Sequence, residues 1–188
     1  MIEQTLVLIK PDSIARNLIG KIISRFEETG LKIIAMRMVW ADEKLAKNHY
    51  FLDESWAKNT FEKSKAASEK EGKKFPYKDY MEFGSIIQRR NMKFITEGPV
   101  ISMILEGPHA IEIVRKMIGA TEPKSASPGT IRGDFAMVES YEMADGKDRV
   151  MRNLVHASDS QASAKREITL WFKKDEIHSY KKDLDKHF

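Results

Sequence analysis

The sequence has no cysteine among its 188 residues. That excludes disulfides, thiolate metal sites and a cysteine nucleophile, and it fits a reducing, cytoplasmic compartment. No apolar run approaches the ~18 residues of a membrane span. The start MIEQ is acidic and the apolar run behind it covers only residues 6–9, so a signal peptide is not expected. The phosphate loop GxxxxGK[ST] is missing, as are the glycine-rich loop and HRD of protein kinases. No His or carboxylate cluster has metal-ligand spacing, and no internal repeat is visible.

What is present is enough for a core: 41% of the residues are hydrophobic, including nine Phe, five Tyr and three Trp. The length suits one domain spanning 1–188. The net charge of +4 suits a phosphate-rich ligand, either nucleotide or nucleic acid. Residues 57–78 hold seven Lys and three Glu, a local balance of 7 − 3 = +4 that equals the whole chain's excess. Such a segment reads as a solvated insertion before it reads as a nucleic-acid patch.

Periodicity predicts a strand over 4–10 stopped by Pro11 and a helix over 17–29. That helix carries an apolar stripe (Leu18, Ile19, Ile22, Ile23, Phe26), with Gly30 suited to C′. A second strand follows at 31–40, then a helix over 43–52 capped by Asp42. Residues 53–91 lack a clear period and read as an insertion with helical pieces. A third strand is expected at 100–105, followed by a helix that starts at Pro108 and ends at Gly119. Residues 120–134 read as a loop, and a fourth strand ends near Val155. A helix capped by Asp159 or Ser160 then runs to Phe172, and a polar tail at 173–188 either lies on the surface or reaches a neighbouring subunit. The order predicts an α+β fold, a ferredoxin-like split-βαβ antiparallel sheet with helices on it. A doubly wound parallel sheet is the alternative.

Of the five His, His178 and His187 belong to the charged tail. His109 is placed in the first turn of a helix, where a structural role is the commoner one. His49 follows Asn48 on a short helix. His156 differs: it sits at a strand end in NLVHASDS, beside Asn153, Ser158 and Asp159. Lys10 ends the first strand, Arg115 lies on the third helix, and Thr121, Thr130 and Arg132 lie in a Gly-containing loop. Arg, Thr and free backbone N–H groups in such a loop can hold a polyphosphate. A neutral imidazole is a competent phosphoryl acceptor when one nitrogen is free and the other is tied to an acceptor. Glu167 is the candidate acceptor, although a helix carboxylate is more commonly solvated.

NLVHASDS is similar to the active-site signature of the nucleoside diphosphate kinase family. Further blocks of that family stand in order: LIKPDS, NHY at 48–50, EGPV at 97–100, RKMIGAT at 115–121, SPGTIRGDF at 127–135 and EITLWF at 167–172. The resemblance implies a ping-pong enzyme that moves the terminal phosphoryl group of a nucleoside triphosphate to a diphosphate through a phosphohistidine at His156. It implies that Glu167 holds the other ring nitrogen and that Tyr50 borders the phosphoryl site. Lys10 and Asn153 would reach the ribose, Lys10 also the transferred phosphate, and Arg115, Thr121 and Arg132 the outer phosphates. Val150 would pack against the base. Ser158 and Asp159 would shape the turn, Asp159 also holding a water on magnesium. Mg2+ would be carried by the nucleotide's phosphates rather than by protein ligands. The family is oligomeric, so a homo-oligomer, a hexamer by expectation, would form with contacts near Pro123 and Pro128. No membrane is expected as a partner, and nucleic acid is not expected as the primary one. An inactive relative, a single-strand-binding protein and a phosphohistidine scaffold are the competing readings.

The chain departs from the family pattern by two insertions, 53–91 and a smaller one at 136–148. The first falls where the family places an aromatic against the base. Counting back from Gly98 puts Ile87 in that register, leaving Phe83, Trp56, Phe61, Phe75 or Tyr77 as substitutes. Ala157 stands where Gly is commonest after the nucleophile, and Ser13 where Gly often follows Lys-Pro-Asp.

Overall fold

The computed structural model describes residues 1–70, 72–183 and 186. His187 and the end of the tail lie outside these. Four strands, β1 (Ile2–Ile9), β2 (Lys32–Val39), β3 (Val100–Pro108) and β4 (Val155–Ala157), form one sheet in the order β2-β3-β1-β4. Every pairing is antiparallel, which excludes the doubly wound alternative. The α-helices are α1 (Pro11–Ala15), α2 (Ile19–Glu27), α3 (Glu43–His49), α4 (Glu54–Lys70), α5 (Tyr80–Thr96), α6 (Ala110–Ile118), α7 (Ile131–Phe135), α8 (Tyr141–Asp145) and α9 (Gln161–Trp171).

The sheet has a core on each face because its central strands alternate apolar side chains to both sides. Val7 and Ile9 of β1 join Met103, Phe26, Val114 and Ile118 on the face of α2 and α6. Leu6 and Leu8 join Ile104, Ile95, Ile168 and Trp171 on the face of α3, α5 and α9. Val7, Ile9, Leu6 and Leu8 are each fully buried, which explains why β1 reads as a continuous apolar run.

Several boundaries differ from the sequence expectation. Pro108 does not begin a helix. It closes β3 opposite Ile2, at a strand end beyond the reach of β2, where its missing N–H costs no ladder bond. His109 is accordingly the N-cap of α6 with φ 53°, not a residue of its first turn. The helix expected over 17–29 starts at Ile19, because Asn17 takes φ 57°; Gly30, with φ 81°, lies two residues past the Glu28 C-cap. The helix expected over 43–52 ends at His49, with Tyr50 as its C-cap. α1 was not anticipated; Pro11 opens it rather than only stopping β1. Residues 120–134 are not all loop, since they hold a 3-10 turn at Pro123–Ser125 and most of α7. The fourth strand begins at Val155, where it was expected to end, and runs only to Ala157, because the residues before it form the turn at Leu154. Residues 53–91 do contain helical pieces: α4 and much of α5. α9 is capped by Ser160, whose side chain accepts from Ser163 N.

Residues 178–182 of the tail lie along the chain's own edge strand. His178 N donates to Ile34 O at 2.8 Å, the Tyr180 hydroxyl to Ile33 O at 3.0 Å, and Lys182 Nζ to Leu31 O at 3.0 Å. His178 itself is exposed. Among the described residues no helix is long and apolar enough to cross a membrane.

Candidate functional site

The site grows from the register of β4 on β1. His156 faces Leu8, so both side chains leave the same face of the sheet, toward α9 and α3. The approach to β4 is a tight turn in which Leu154 takes φ 70°, a costly conformation for a branched residue. Neighbouring groups hold it there. Its carbonyl accepts from Lys10 N and from the Ser13 hydroxyl, both at 2.8 Å, and its amide donates to Asp12 Oδ2 at 3.1 Å. Burial, its largest influence, pushes the Asp12 carboxyl above its ordinary range, against the pull of Lys10 and these amides.

Nε2 of His156 lies 2.9 Å from Glu167 Oε2, and the Ser158 hydroxyl donates to the same oxygen at 2.7 Å. Glu167 is 4% exposed, not a solvated helix carboxylate. Burial raises its pKa, but the charge and hydrogen bond of His156, with help from the Ser158 hydroxyl, outweigh that and hold it down at about 2. An ionised carboxylate accepts only, so in the neutral form of the ring Nε2 carries the proton and Nδ1 keeps its lone pair.

At the end of the sheet where β1 finishes and β4 begins, Lys10 Nζ donates to Asn153 Oδ1 at 2.7 Å, and Asn153 Nδ2 to Thr121 O at 2.8 Å. Burial first, then Arg132, lower the Lys10 pKa to about 8. Arg132 is 4% exposed and spends its guanidinium on backbone carbonyls: Asn153 and Val155 on one side, Gly119 and Ala120 on the other. Gly119 permits this close packing; a Cβ there would stand 2.4 Å from Thr130 Oγ1. One cavity of about 720 Å³ is lined by His156, Lys10, Tyr50, Arg115, Thr121, Arg132, Asn153 and Val150. All the expected nucleophile, phosphate and base positions therefore meet in one place. Ser158 is fully buried beneath it. Asp159 is not brought in: it is exposed and lines a separate cavity of about 390 Å³ beside Glu112 and the other side of Arg115.

The profile of the nucleoside diphosphate kinase family matches residues 3–177. A nucleoside diphosphate kinase of Pyrobaculum aerophilum is 45% identical over 180 residues, covering 94% of this chain and 98% of that one. The chain belongs to the nucleoside diphosphate kinase family. The crystal structure of an NDP kinase from Pyrobaculum aerophilum superposes with a TM-score of 0.89 at 43% identity, over 95% of this chain and 100% of that one. A Borrelia burgdorferi nucleoside-diphosphate kinase, solved as a transition-state mimic with vanadate and ADP, superposes with a TM-score of 0.82 at 39% identity, over 99% of this chain and 96% of that one. The activity that goes with this membership is phosphoryl transfer between nucleotides.

In this kinase, residues 53–91 and 136–148 both wall the cavity. Trp56, Phe75, Tyr77, Phe83 and Ile87 line it from the first segment, and Tyr141, Glu142 and Asp145 from the second. Phe61 is not among the lining residues; it packs edge-on against Phe75 and Phe83 behind the wall. Lys73 pairs with Glu142 at 2.6 Å, and Arg90 with Asp145 and Asp148 at 2.7 Å each, so the two segments are joined across the pocket.

Sequence reasoning passed over three residues that build the site. Asp12 and Ser13 clamp Leu154, and the signal available was their place directly after Lys10 and Pro11. His49 is buried against His156, with ring centroids 4.6 Å apart. Its signal was the NHY block, in which only Tyr50 received a role.

Proposed function

We propose that this chain moves the terminal phosphoryl group of a nucleoside triphosphate to a nucleoside diphosphate by a ping-pong route through His156. The observation that carries the reading is the His156–Glu167 contact, which leaves Nδ1 free on a cavity lined by Lys10, Arg115 and Arg132. The Nδ1 lone pair attacks the terminal phosphorus, and the bond to the bridging oxygen breaks. The diphosphate leaves with that electron pair. Glu167 keeps the Nε2 proton in place and offsets the charge that the phosphorylated ring acquires. A second diphosphate then attacks the phosphohistidine and restores the ring. Phosphoryl transfer asks for alignment and charge neutralisation, which the three cations supply. In this reading Lys10 and Asn153, which line the same cavity, take the ribose, and Val150 the base.

Magnesium belongs to the substrate in this reading. Among the described residues the only trio able to ligate a metal, His49, His156 and Glu167, contains the nucleophile itself. The phosphate end is lined by cations, which fits an ion brought in on the nucleotide. We further read 1–188 as a single kinase domain of the cytoplasm in which 53–91 and 136–148 are insertions that cover the base end. We expect a homo-oligomer, a hexamer as in the family; the self-association part of that reading is supported by Met36, Met38 and Trp40. These alternate along edge strand β2 and its end, and are more than half exposed at 52%, 58% and 67%.

The test is incubation with γ-labelled ATP and chase with GDP, on wild type and His156→Ala. An acid-labile label that GDP removes as GTP, absent from the variant, is the expected result. No label on wild type rejects the kinase reading. A label that GDP cannot discharge rejects the diphosphate as acceptor.

A further inference from the structure

The trio His49, His156 and Glu167 resembles a metal site: one ligand atom from each lies within 4.8 Å of the others, and all three side chains are buried or half-buried. Two imidazoles and a carboxylate in such a cluster are a donor set for zinc and similar ions. A fourth residue opposes that use. The indole N–H of Trp171, fully buried on α9, points at His49 Nδ1 at 3.2 Å. Indole is a donor only, so Nδ1 must be the unprotonated nitrogen. Burial, reinforced by His156, pushes the His49 pKa well below its ordinary value and keeps the ring neutral. Its single proton is therefore on Nε2, which has no hydrogen-bond partner and lies among the rings of Tyr50, His156 and Trp171.

From this arrangement we propose that the Trp171 N–H is a tautomer lock that keeps the His49–His156–Glu167 trio free of metal. Either way of binding an ion works against it. A metal on Nε2 drives the proton to Nδ1, where it meets the indole N–H head-on. A metal on Nδ1 displaces that N–H and strands a buried donor. The lock protects the nucleophile: an ion held between Glu167 and His156 Nε2 leaves Nδ1 as the only place for the ring proton and removes its lone pair. This consequence rests on His156 as the phosphoryl acceptor, but the lock itself does not. Trp171 is thus a positioning residue that acts through His49.

The test uses nucleotide-free protein, so it reads the lock separately from turnover. Trp171→Phe keeps an aromatic side chain, smaller by one ring, and removes the N–H. Equilibrium dialysis against Zn2+ is expected to show one ion per chain bound at least tenfold more tightly by Trp171→Phe than by wild type. That gain should vanish in His49→Ala/Trp171→Phe, which sets aside ions bound by surface histidines. Nitrogen-15 NMR of wild type is expected to show His49 protonated at Nε2 and bare at Nδ1. Wild type protonated at Nδ1, or binding zinc at the trio as tightly as Trp171→Phe, overturns the proposal. If Trp171→Phe fails to fold, the wild-type tautomer and wild-type zinc affinity still decide it.

Discussion

Glu167 Oε2 receives two donors, His156 Nε2 at 2.9 Å and the Ser158 hydroxyl at 2.7 Å, so one carboxylate oxygen sets both the tautomer and the tilt of the candidate nucleophile. Glu167→Gln keeps the shape and removes the charge. The phosphorylation half-reaction is expected to slow about 10- to 100-fold, or ~1.4–2.7 kcal/mol. Rapid-quench labelling with γ-labelled ATP measures it. Nucleotide KM should change little, since Glu167 lies behind the ring.

Lys10 supplies a pH limit. Its pKa is lowered to about 8, so the ammonium is present below that pH and lost above it. The kcat/KM for nucleotide, which reports the free enzyme, should therefore fall as pH rises through about 8. In Lys10→Arg the guanidinium stays charged, and this descending limb should disappear even though the absolute rate is lower.

Ser13 tests the turn rather than the chemistry. Its hydroxyl bonds the carbonyl of left-handed Leu154 at 2.8 Å in the buried interior. Ser13→Ala should cost about 1–2 kcal/mol of stability, lowering Tm by roughly 2–8 °C at this chain length. Calorimetry with and without ADP checks it. A variant as stable as wild type removes the clamp from the account.

The junction between residues 53–91 and 136–148 is also open to test. Arg90 reaches Asp145 and Asp148 from a side chain only 11% exposed. Arg90→Ala should raise the KM for nucleotides several-fold, leave kcat within about twofold, and make KM less sensitive to salt. Initial rates at two ionic strengths suffice.

Much of this was legible from residues and spacing. The short continuous apolar run of β1, stopped at Pro11, placed a buried strand correctly, and the sheet class followed from element order. The site residues were carried by the resemblance to the kinase family, not by periodicity. What remained illegible has physical causes. The short helix at Pro11 buries only Pro11 and Ser13, too little to leave a period. Pro108 has two legitimate homes, a helix start and a strand end, and only the pairing with Ile2 distinguishes them. His49 could not be separated from an ordinary helix residue, because its meaning comes from His156 and Trp171, both more than a hundred positions away.

Arg132 carries one last consequence. β4 is three residues long and among the described residues pairs only with β1, so the sheet ladder alone holds His156 weakly. Arg132 grips the carbonyls of Asn153 and Val155 on either side of the turn and also lines the cavity where phosphates are expected. In the proposed mechanism, ligand capture and nucleophile placement are thus both vested in a single guanidinium. A substrate that draws Arg132 toward itself tugs on the strand that must receive the phosphoryl group, which makes affinity and alignment two readings of one mechanical linkage.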